Sequence, residues 1–139
     1  MAVKWLLKSE PGTYSFADLE RDVQTRWDGV SNHLALKHLR SAHRGDQVLI
    51  YHTGDERAVV GIAEVTSDAY PDPKQKDTRL VVVDLKASRR LSRPVPLSEI
   101  KQQSALKDFA LVRLPRLSVM PVTDAQWKLI MELAESPAN

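Results

Sequence analysis

VLIYHTGDERAVVGIAEVT (residues 48–66) predicts two β-strands joined by a tight turn. Apolar and β-branched residues dominate residues 48–53 and 58–66, and the Gly54-Asp55 pair between them is typical of a turn. Gly61 falls inside the second strand, where a glycine indicates a bulge or a bend. This hairpin puts a β-sheet at the centre of the predicted fold, and the flanking sequence extends it on both sides.

The flanking segments predict further strands, several helices and one loop. Residues 3–7 and 80–88 are apolar runs typical of strands, and we expect Pro94 and Pro96 to interrupt the second run. Residues 109–119 predict two strand pieces with a bend around Pro115. The other patterns, with capping residues, apolar faces or prolines, predict helices over residues 15–22, 31–42, 96–103 and 123–134, and a loop over residues 70–76.

Several strands joined by short turns, with helices outside them, predict an α+β fold. We expect a closed or nearly closed mixed β-barrel of about five to six strands with about three flanking helices. The length of 139 residues suits a single domain over residues 1–139. No apolar run approaches the roughly 20 residues of a membrane span, and the first apolar run is too short for a signal peptide. These features predict no membrane partner and a cytoplasmic location.

The residue types and motifs exclude several kinds of active site. The chain has no cysteine, which excludes disulfides, thiolate metal ligands and cysteine nucleophiles. It also has no glycine-rich phosphate loop, no G-x-S-x-G motif and no H-E-x-x-H motif. His33, His38 and His43 are spaced by five, which rotates successive side chains by about 140° around a helix, so they cannot share a metal ion. We therefore predict no metal and no cofactor.

Positive charge is concentrated in one part of the chain. Residues 86–116 contain eight Lys or Arg against two acidic residues, whereas the segments before and after each have a net charge of −2. A basic segment of this kind is typical of a surface that faces phosphate groups. The alternative is an ordinary solvated strand face that carries its usual cations. The candidate phosphate-facing residues are Arg89, Arg90, Arg93 and Arg113.

Several polar and aromatic residues next to apolar segments are candidates for binding. Lys8, Ser9 and Glu10 directly follow the first strand, where side chains emerge at the rim of a sheet. Residues 51–53 end a later strand, with Tyr51 and Thr53 on one face and His52 on the other. Taken alone, however, Trp27 is more typical of a core residue, and Ser9 and Asn32 are more typical of turns and helix caps. His52, likewise, is more typical of a half-buried strand histidine.

Six segments of the chain resemble, in order, the motifs of the EVE domain family. KWLLKSEPGTYSFADL (4–19) is similar to its opening W-L-x-K-S-E-P-x-x-Y-S-x-x-x-L motif, and WDGVSNHLALKHLR (27–40) to its W-x-G-V-R-N-x-x-A-x-x-x-L motif. Later motifs are matched by GDQVLIYHT (45–53), by VVGIAEV (59–65) with AYPDP (69–73), and by RLSVMPV (116–122). The resemblance covers nearly the whole chain.

The resemblance implies a PUA-like barrel, related to PUA, ASCH and YTH domains, with a pocket on one side. It implies a non-catalytic module that binds nucleic acid and holds a modified base, with a modified cytosine in DNA as the leading candidate; we expect a monomer. By position, Trp27 would stack on the base, and Ser9 and Asn32 would bond to its edge. Arg116 and Ser118 would either contact the phosphate or close the pocket. The other residues implied to line or cover the pocket are Lys8, Glu10, Val30, Ser31, Tyr51, His52, Thr53, Tyr70 and Pro71.

The chain departs from the family pattern at two positions. Ser31 stands where the family usually has arginine, and Thr53 stands where it usually has serine. Serine in place of arginine removes a cation beside the stacking tryptophan, so we expect a different affinity or base preference. Two other functions stay open at this point. One is an ASCH-like hydrolase of modified nucleosides that uses Lys8, Glu10 and Thr53, and the other is PUA-like RNA binding through the basic strands.

Overall fold

The computed structural model describes residues 3–135, and it leaves residues 1–2 and 136–139 of the predicted 1–139 domain outside. The described strands are β1 (Lys4–Ser9), β2 (Gln24–Trp27), β3 (Gln47–His52), β4 (Ala58–Val65), β5 (Tyr70–Pro71), β6 (Val81–Pro96) and β7 (Val119–Pro121). The described helices are α1 (Phe16–Asp22), α2 (His33–Arg40), α3 (Leu97–Gln102), α4 (Ala110–Arg113) and α5 (Asp124–Glu135), with a 3-10 helix at Ser104–Leu106.

The strands form one mixed sheet that curls into a half-barrel. Its order is β2-β6-β4-β3-β1-β7, and β5 pairs with β6 beside this path. β1 and β3 are parallel, and the other neighbouring strands are antiparallel. α2 packs against β7 at one end of the sheet and against β6 near the other end. The predicted α+β fold with a mixed, barrel-like sheet is confirmed; the described α-helices number five instead of about three, and α4 lies in a segment that was predicted as strand.

Three helices begin at the capping residues that the sequence predicts. Ser15 and Asp18 form a capping box at α1, with the Asp18 N–H donating to the Ser15 hydroxyl at 3.0 Å. The Asn32 side chain accepts from the Ala35 N–H at the start of α2, and Thr123 and Gln126 cap α5 reciprocally. Within residues 3–135, no helix combines the length and the apolar character needed to cross a membrane.

Asp46 ties the beginning of β1 to the turn before β3. Its carboxylate is buried, with 3% of the residue exposed, and it accepts from the Val3 N–H (3.0 Å), the Trp5 indole N–H (2.9 Å) and the His43 N–H (2.9 Å). Hydrogen bonds to a charged acceptor are stronger than those between neutral groups. β1 is therefore fixed at its first residues, which sets where its last residues emerge.

Gly61 marks the predicted irregularity of β4 and allows α1 to pack on the sheet. Ile50 pairs with Gly61 and Tyr51 with Val59, so one extra residue bulges out of β4, as the sequence predicted. A Cβ at Gly61 would overlap the ring of Phe16, which is fully buried. The Phe16 N–H also donates to His52 Nε2 at 2.9 Å, while His52 Nδ1 lies 2.7 Å from a Glu56 oxygen. Two contacts thus fix the first residue of α1.

The structure corrects two strand predictions. Residues 109–119 do not form two strand pieces: α4 begins after Phe109, whose carbonyl accepts from the N–H groups of Val112 and Arg113, and the next strand is β7. The apolar alternation around Leu111 therefore belongs to a single helical turn. Pro94 and Pro96 do not end β6, because the register against β4 is irregular between Arg90 and Val95. Pro94 lies in this unpaired part, where its missing N–H costs no ladder hydrogen bond.

Two strands were not predicted at all. β2 (Gln24–Trp27) has mostly exposed, polar residues, and it forms by antiparallel pairing with residues 83–86 of β6. β5 (Tyr70–Pro71) lies in the segment predicted as a loop and pairs with residues 81–82 of the same strand. Both are short segments that depend on a distant partner, and neither has an apolar run of its own.

Gly61→Ala is expected to lower the free energy of unfolding by about 1–3 kcal/mol, the usual cost of an overpacked core. The added methyl group would overlap the Phe16 ring, which the backbone bond to His52 prevents from moving away. Urea unfolding measures the effect. Gly12→Ala is the matched control, since a Cβ there meets only Glu10 Oε1 at 3.6 Å. Equal stability of the two variants would show that this contact does not hold α1 in place.

Candidate functional site

A cavity of about 580 Å³ opens where β1 ends, and its size falls in the range of small-molecule sites. Its residues come from the end of β1, the loop before α1, β2 and the loop after it, the loop after β5, and the residue before β7. Because β2 lies at one end of the sheet and β1 and β7 at the other, the cavity lies at the opening of the half-barrel. The lining residues are Lys8, Ser9, Glu10, Thr13, Tyr14, Thr25, Arg26, Trp27, Asp28, Gly29, Val30, Lys74 and Ser118.

Two aromatic side chains form a corner of the cavity. Trp27 is 8% exposed, and the ring of Tyr14 meets its ring nearly at right angles, with 6.4 Å between the centroids. This edge-to-face arrangement is a favourable one for aromatic pairs. The Tyr14 hydroxyl donates to Asp22 Oδ2 at 2.8 Å, and burial, together with the Asp22 carboxylate, raises the Tyr14 pKa. Both rings are therefore held in position before any ligand binds.

Lys8 and Ser9 form the side of the cavity at the end of β1. The Lys8 ammonium donates to the Pro115 carbonyl at 2.8 Å and lies 5.6 Å from the centroid of the Tyr51 ring. Burial lowers the Lys8 pKa. The backbone N–H of Lys8 donates to the Ser118 carbonyl at 3.0 Å, and the Ser9 hydroxyl donates to the Tyr14 carbonyl. These bonds connect the end of β1 to the residues before β7 and to the loop before α1.

The rim of the cavity carries carboxylates and hydroxyls. Glu10 Oε1 accepts from the Gly12 N–H at 3.2 Å, and Glu10 Oε2 accepts from the Thr53 hydroxyl at 3.3 Å. Asp28 is exposed, and its carboxylate makes no hydrogen bond to another residue between positions 3 and 135; the same holds for the hydroxyls of Thr13 and Ser118. The cavity thus offers acceptors and donors that a ligand can use.

Of the residues that the family resemblance assigned to a pocket, six line this cavity: Lys8, Ser9, Glu10, Trp27, Val30 and Ser118. The other eight lie outside its wall. Asn32 caps α2, and Ser31 is an exposed neighbour of this cap. Tyr51 and His52 are buried in β3, and Thr53 follows them. Tyr70 contacts Arg26 and Asp84, whereas Pro71 and Arg116 are exposed.

The four arginines predicted to face phosphate also lie outside the cavity wall. Arg90 forms an ion pair with Glu20 at 2.6 Å, and Arg93 forms a bidentate pair with Glu99 at 2.8 and 2.9 Å. Arg89 lies beside α5, with Nη2 3.8 Å from the Met131 sulfur, and Arg113 is exposed in α4. Two of the four guanidinium groups are therefore paired with carboxylates.

Seven lining residues were not predicted: Thr13, Tyr14, Thr25, Arg26, Asp28, Gly29 and Lys74. Thr25 and Trp27 are two residues apart in β2, so the period of a strand would have linked them if β2 had been recognised. Tyr14 belongs to the same opening motif as Lys8 and Ser9. No local sequence pattern marks Lys74 as a residue that lines the cavity. Between residues 3 and 135, no cluster of three or more histidine or acidic side chains is placed to hold a metal ion.

The family model of the EVE domain matches residues 3–133. Thymocyte nuclear protein 1 of Gallus gallus is 32% identical over 165 aligned residues, which cover 94% of this chain and 68% of that protein. A solved structure from Rhodopseudomonas palustris has a TM-score of 0.91 and 39% identity, covering 96% of this chain and 93% of that one. The human thymocyte nuclear protein, solved in complex with DNA that contains 5-methylcytosine, has a TM-score of 0.90 and 28% identity, covering 99% of this chain and 100% of that one.

The Lys8 ammonium is expected to titrate below the ordinary lysine pKa, because its burial disfavours the charged form. Between the folded pKa and the ordinary value, the unfolded chain binds more protons, so the contribution of Lys8 to stability rises with pH in that window. NMR titration of the Lys8 Cε signal measures the pKa. Urea unfolding at several alkaline pH values, compared with Lys8→Met, measures the linkage. A Lys8 midpoint at or above the ordinary value would contradict the burial of its ammonium.

Proposed function

Because the chain belongs to the EVE domain family, we propose that it binds DNA and holds one modified base, outside the duplex stack, in the cavity at the end of β1. The observation that carries the proposal is the indole of Trp27, which forms a fixed wall of a cavity of about 580 Å³. The human relative in complex with DNA containing 5-methylcytosine supports modified cytosine as the class of base.

Stacking on Trp27 accounts for part of the binding free energy. Stacking of a base on an aromatic side chain contributes about 1–3 kcal/mol, while extruding a base from a duplex costs a few kcal/mol. The two roughly cancel for a base within a duplex. The preference for one base therefore has to come from polar groups, each of which costs about 1–3 kcal/mol when a wrong base leaves it unpaired.

We assign the recognition of a modified cytosine to side chains that line the cavity. The Asp28 carboxylate accepts hydrogen bonds only and suits the exocyclic amino group of cytosine, which is a donor. The acceptor side of the Ser9 hydroxyl suits the same amino group, because its proton is donated to the Tyr14 carbonyl, whereas the Ser118 hydroxyl can donate to the ring nitrogen or the carbonyl oxygen. Val30 supplies apolar surface for a methyl substituent on the base. Asn32 is left out of this assignment because its amide oxygen caps α2.

We propose that the protein binds the base without chemical turnover. The rival hydrolase would bring Lys8, Glu10 and Thr53 together on one substrate. Thr53 does bond to Glu10, but the Lys8 ammonium donates to the Pro115 carbonyl, and Thr53 is not part of the cavity wall. RNA as the ligand, a monomeric state and a cytoplasmic location stay predictions.

Trp27→Ala is expected to weaken binding of a single-stranded DNA oligonucleotide with one 5-methylcytosine by about 5- to 150-fold, the equivalent of one lost stacking contact. Trp27→Phe keeps an aromatic face and is expected to lose less. Fluorescence anisotropy measures affinity, and thermal melting checks that each variant is folded. Trp127→Ala is the control, since this half-buried tryptophan of α5 lies outside the cavity wall. Equal binding by folded Trp27→Phe, folded Trp27→Ala and wild type would exclude Trp27 as the stacking residue.

Incubation with a modified cytidine nucleoside is expected to return the nucleoside unchanged. Mass spectrometry of the mixture detects deamination, deacylation or glycosidic cleavage by the change in mass. A Lys8→Met variant run in parallel is the control for any turnover that is seen. Turnover that disappears in this variant would establish the hydrolase in place of the binding module.

A further inference from the structure

Two cations, Arg26 and Lys74, lie on the same cavity as Trp27. Neither belongs to the basic segment 86–116, and neither was predicted as a site residue. Arg26 comes from β2, and Lys74 comes from the loop between β5 and β6. Both are exposed, so they belong to the mouth of the cavity, whereas Trp27 belongs to its buried wall.

Arg26 is held so that the outer edge of its guanidinium stays available. Its Nε donates to the Tyr70 hydroxyl at 3.1 Å, and this hydroxyl donates in turn to Asp84 Oδ1 at 2.6 Å. The guanidinium also lies 6.0 Å from the centroid of the Tyr70 ring. Nη1 and Nη2 have no hydrogen-bond partner within residues 3–135, and no carboxylate there forms an ion pair with Arg26. Tyr70 thus separates the arginine from Asp84 and leaves the Nη edge open.

Lys74 stands on a turn that a buried carboxylate organises. Asp72 is 5% exposed; its Oδ1 accepts from the Lys74 N–H at 2.9 Å, and its own N–H donates to the Leu80 carbonyl at 2.8 Å. The backbone of the turn is therefore fixed while the lysine side chain extends from it. No hydrogen bond joins the Lys74 ammonium to the described part of the chain.

The other arginines differ from Arg26 in one of two ways. Arg21, Arg79, Arg90 and Arg93 form ion pairs with carboxylates, so a phosphate would have to displace an existing partner. The remaining arginines are exposed but do not line the cavity; they are Arg40, Arg44, Arg57, Arg89, Arg113 and Arg116. Within the described residues, only Arg26 combines a supported guanidinium, an open Nη edge and a place on the cavity.

We propose that Arg26 and Lys74 bind the phosphates that flank the base in the cavity, so the DNA strand crosses the mouth on the side of β2 and β5. The proposal rests on the proposed function. It assigns the phosphate-facing role to Arg26 and Lys74 in place of the basic segment 86–116. Arg26 would bind one phosphate through both Nη atoms, the bidentate geometry that arginine forms with phosphate. Lys74 binds as a point charge. Tyr70 is a positioning residue that keeps Arg26 in this orientation.

The salt dependence of binding tests which cations contact phosphate. For single-stranded DNA, each phosphate contact contributes about 0.7 to the slope of log K against log salt concentration. Arg26→Gln and Lys74→Gln are each expected to lower the slope by about this amount for a short oligonucleotide with one 5-methylcytosine. Arg113→Gln and Arg116→Gln are matched controls that remove the same charge outside the cavity. A loss of slope in the controls, with none in Arg26→Gln and Lys74→Gln, would overturn the proposal.

Removal of charge from the DNA separates a phosphate contact from support of the cavity wall. With neutral methylphosphonate linkages beside the modified base, Arg26→Gln is expected to bind as tightly as wild type, because the contact is already absent. Tyr70→Phe, which removes the hydroxyl that holds Arg26, is expected to weaken binding only to the charged oligonucleotide. Equal losses on both oligonucleotides would overturn the proposal.

Failure of the base pocket is a different result. In that case wild type and folded Trp27→Ala would bind modified and unmodified oligonucleotides equally, whichever cations set the salt dependence of binding.

Discussion

The contact between the Phe16 ring and Gly61 is the constraint on which the cavity depends. Only a residue without a Cβ lets the ring lie on β4, and the bond from the Phe16 N–H to His52 fixes the same point from the backbone. The loop of residues 10–15 runs directly into this point. That loop carries the Tyr14 ring to the edge of Trp27 and the Tyr14 carbonyl to the Ser9 hydroxyl. A residue in the core of the sheet thereby sets the aromatic corner of the cavity.

The open shape of the sheet explains why the cavity lies beside β1. β1 is buried on both faces, and the Asp46 carboxylate holds its first residues, so its last residues emerge at a fixed point. The end strands β2 and β7 do not pair with each other in the described chain. α2 packs against β6 and β7, and the cavity lies where β2 approaches the end of β1. A closed barrel would fill this space with ladder hydrogen bonds and side chains.

Local patterns made the strands and helices with apolar periods or caps predictable, whereas elements that depend on distant partners were not. α1, α2 and α5 begin at the expected caps, and the β3–β4 hairpin bulges beside Gly61 as expected. β2 has one buried residue in four and exists because it pairs with β6. The same distinction applies to the residues that line the cavity. Lys8, Ser9, Glu10 and Trp27 follow from motifs, while Arg26 is supported by a tertiary contact with Tyr70, and Lys74 stands on a turn that Asp72 bonds to the Leu80 carbonyl.

Ser31, which stands where the family usually has arginine, affects the charge near the mouth of the cavity but not the shape of its wall. Ser31 is exposed beside the Asn32 cap and lies outside the wall formed by Trp27 and Tyr14. The loss of an arginine there therefore removes charge near the mouth without changing the shape of the wall. In the proposed function, stacking and base-edge contacts depend on the wall, whereas attraction of the phosphates depends on the mouth and is screened by salt. Because Arg26 has its own support in β5 and β6, the mouth keeps a fixed guanidinium that does not depend on the start of α2.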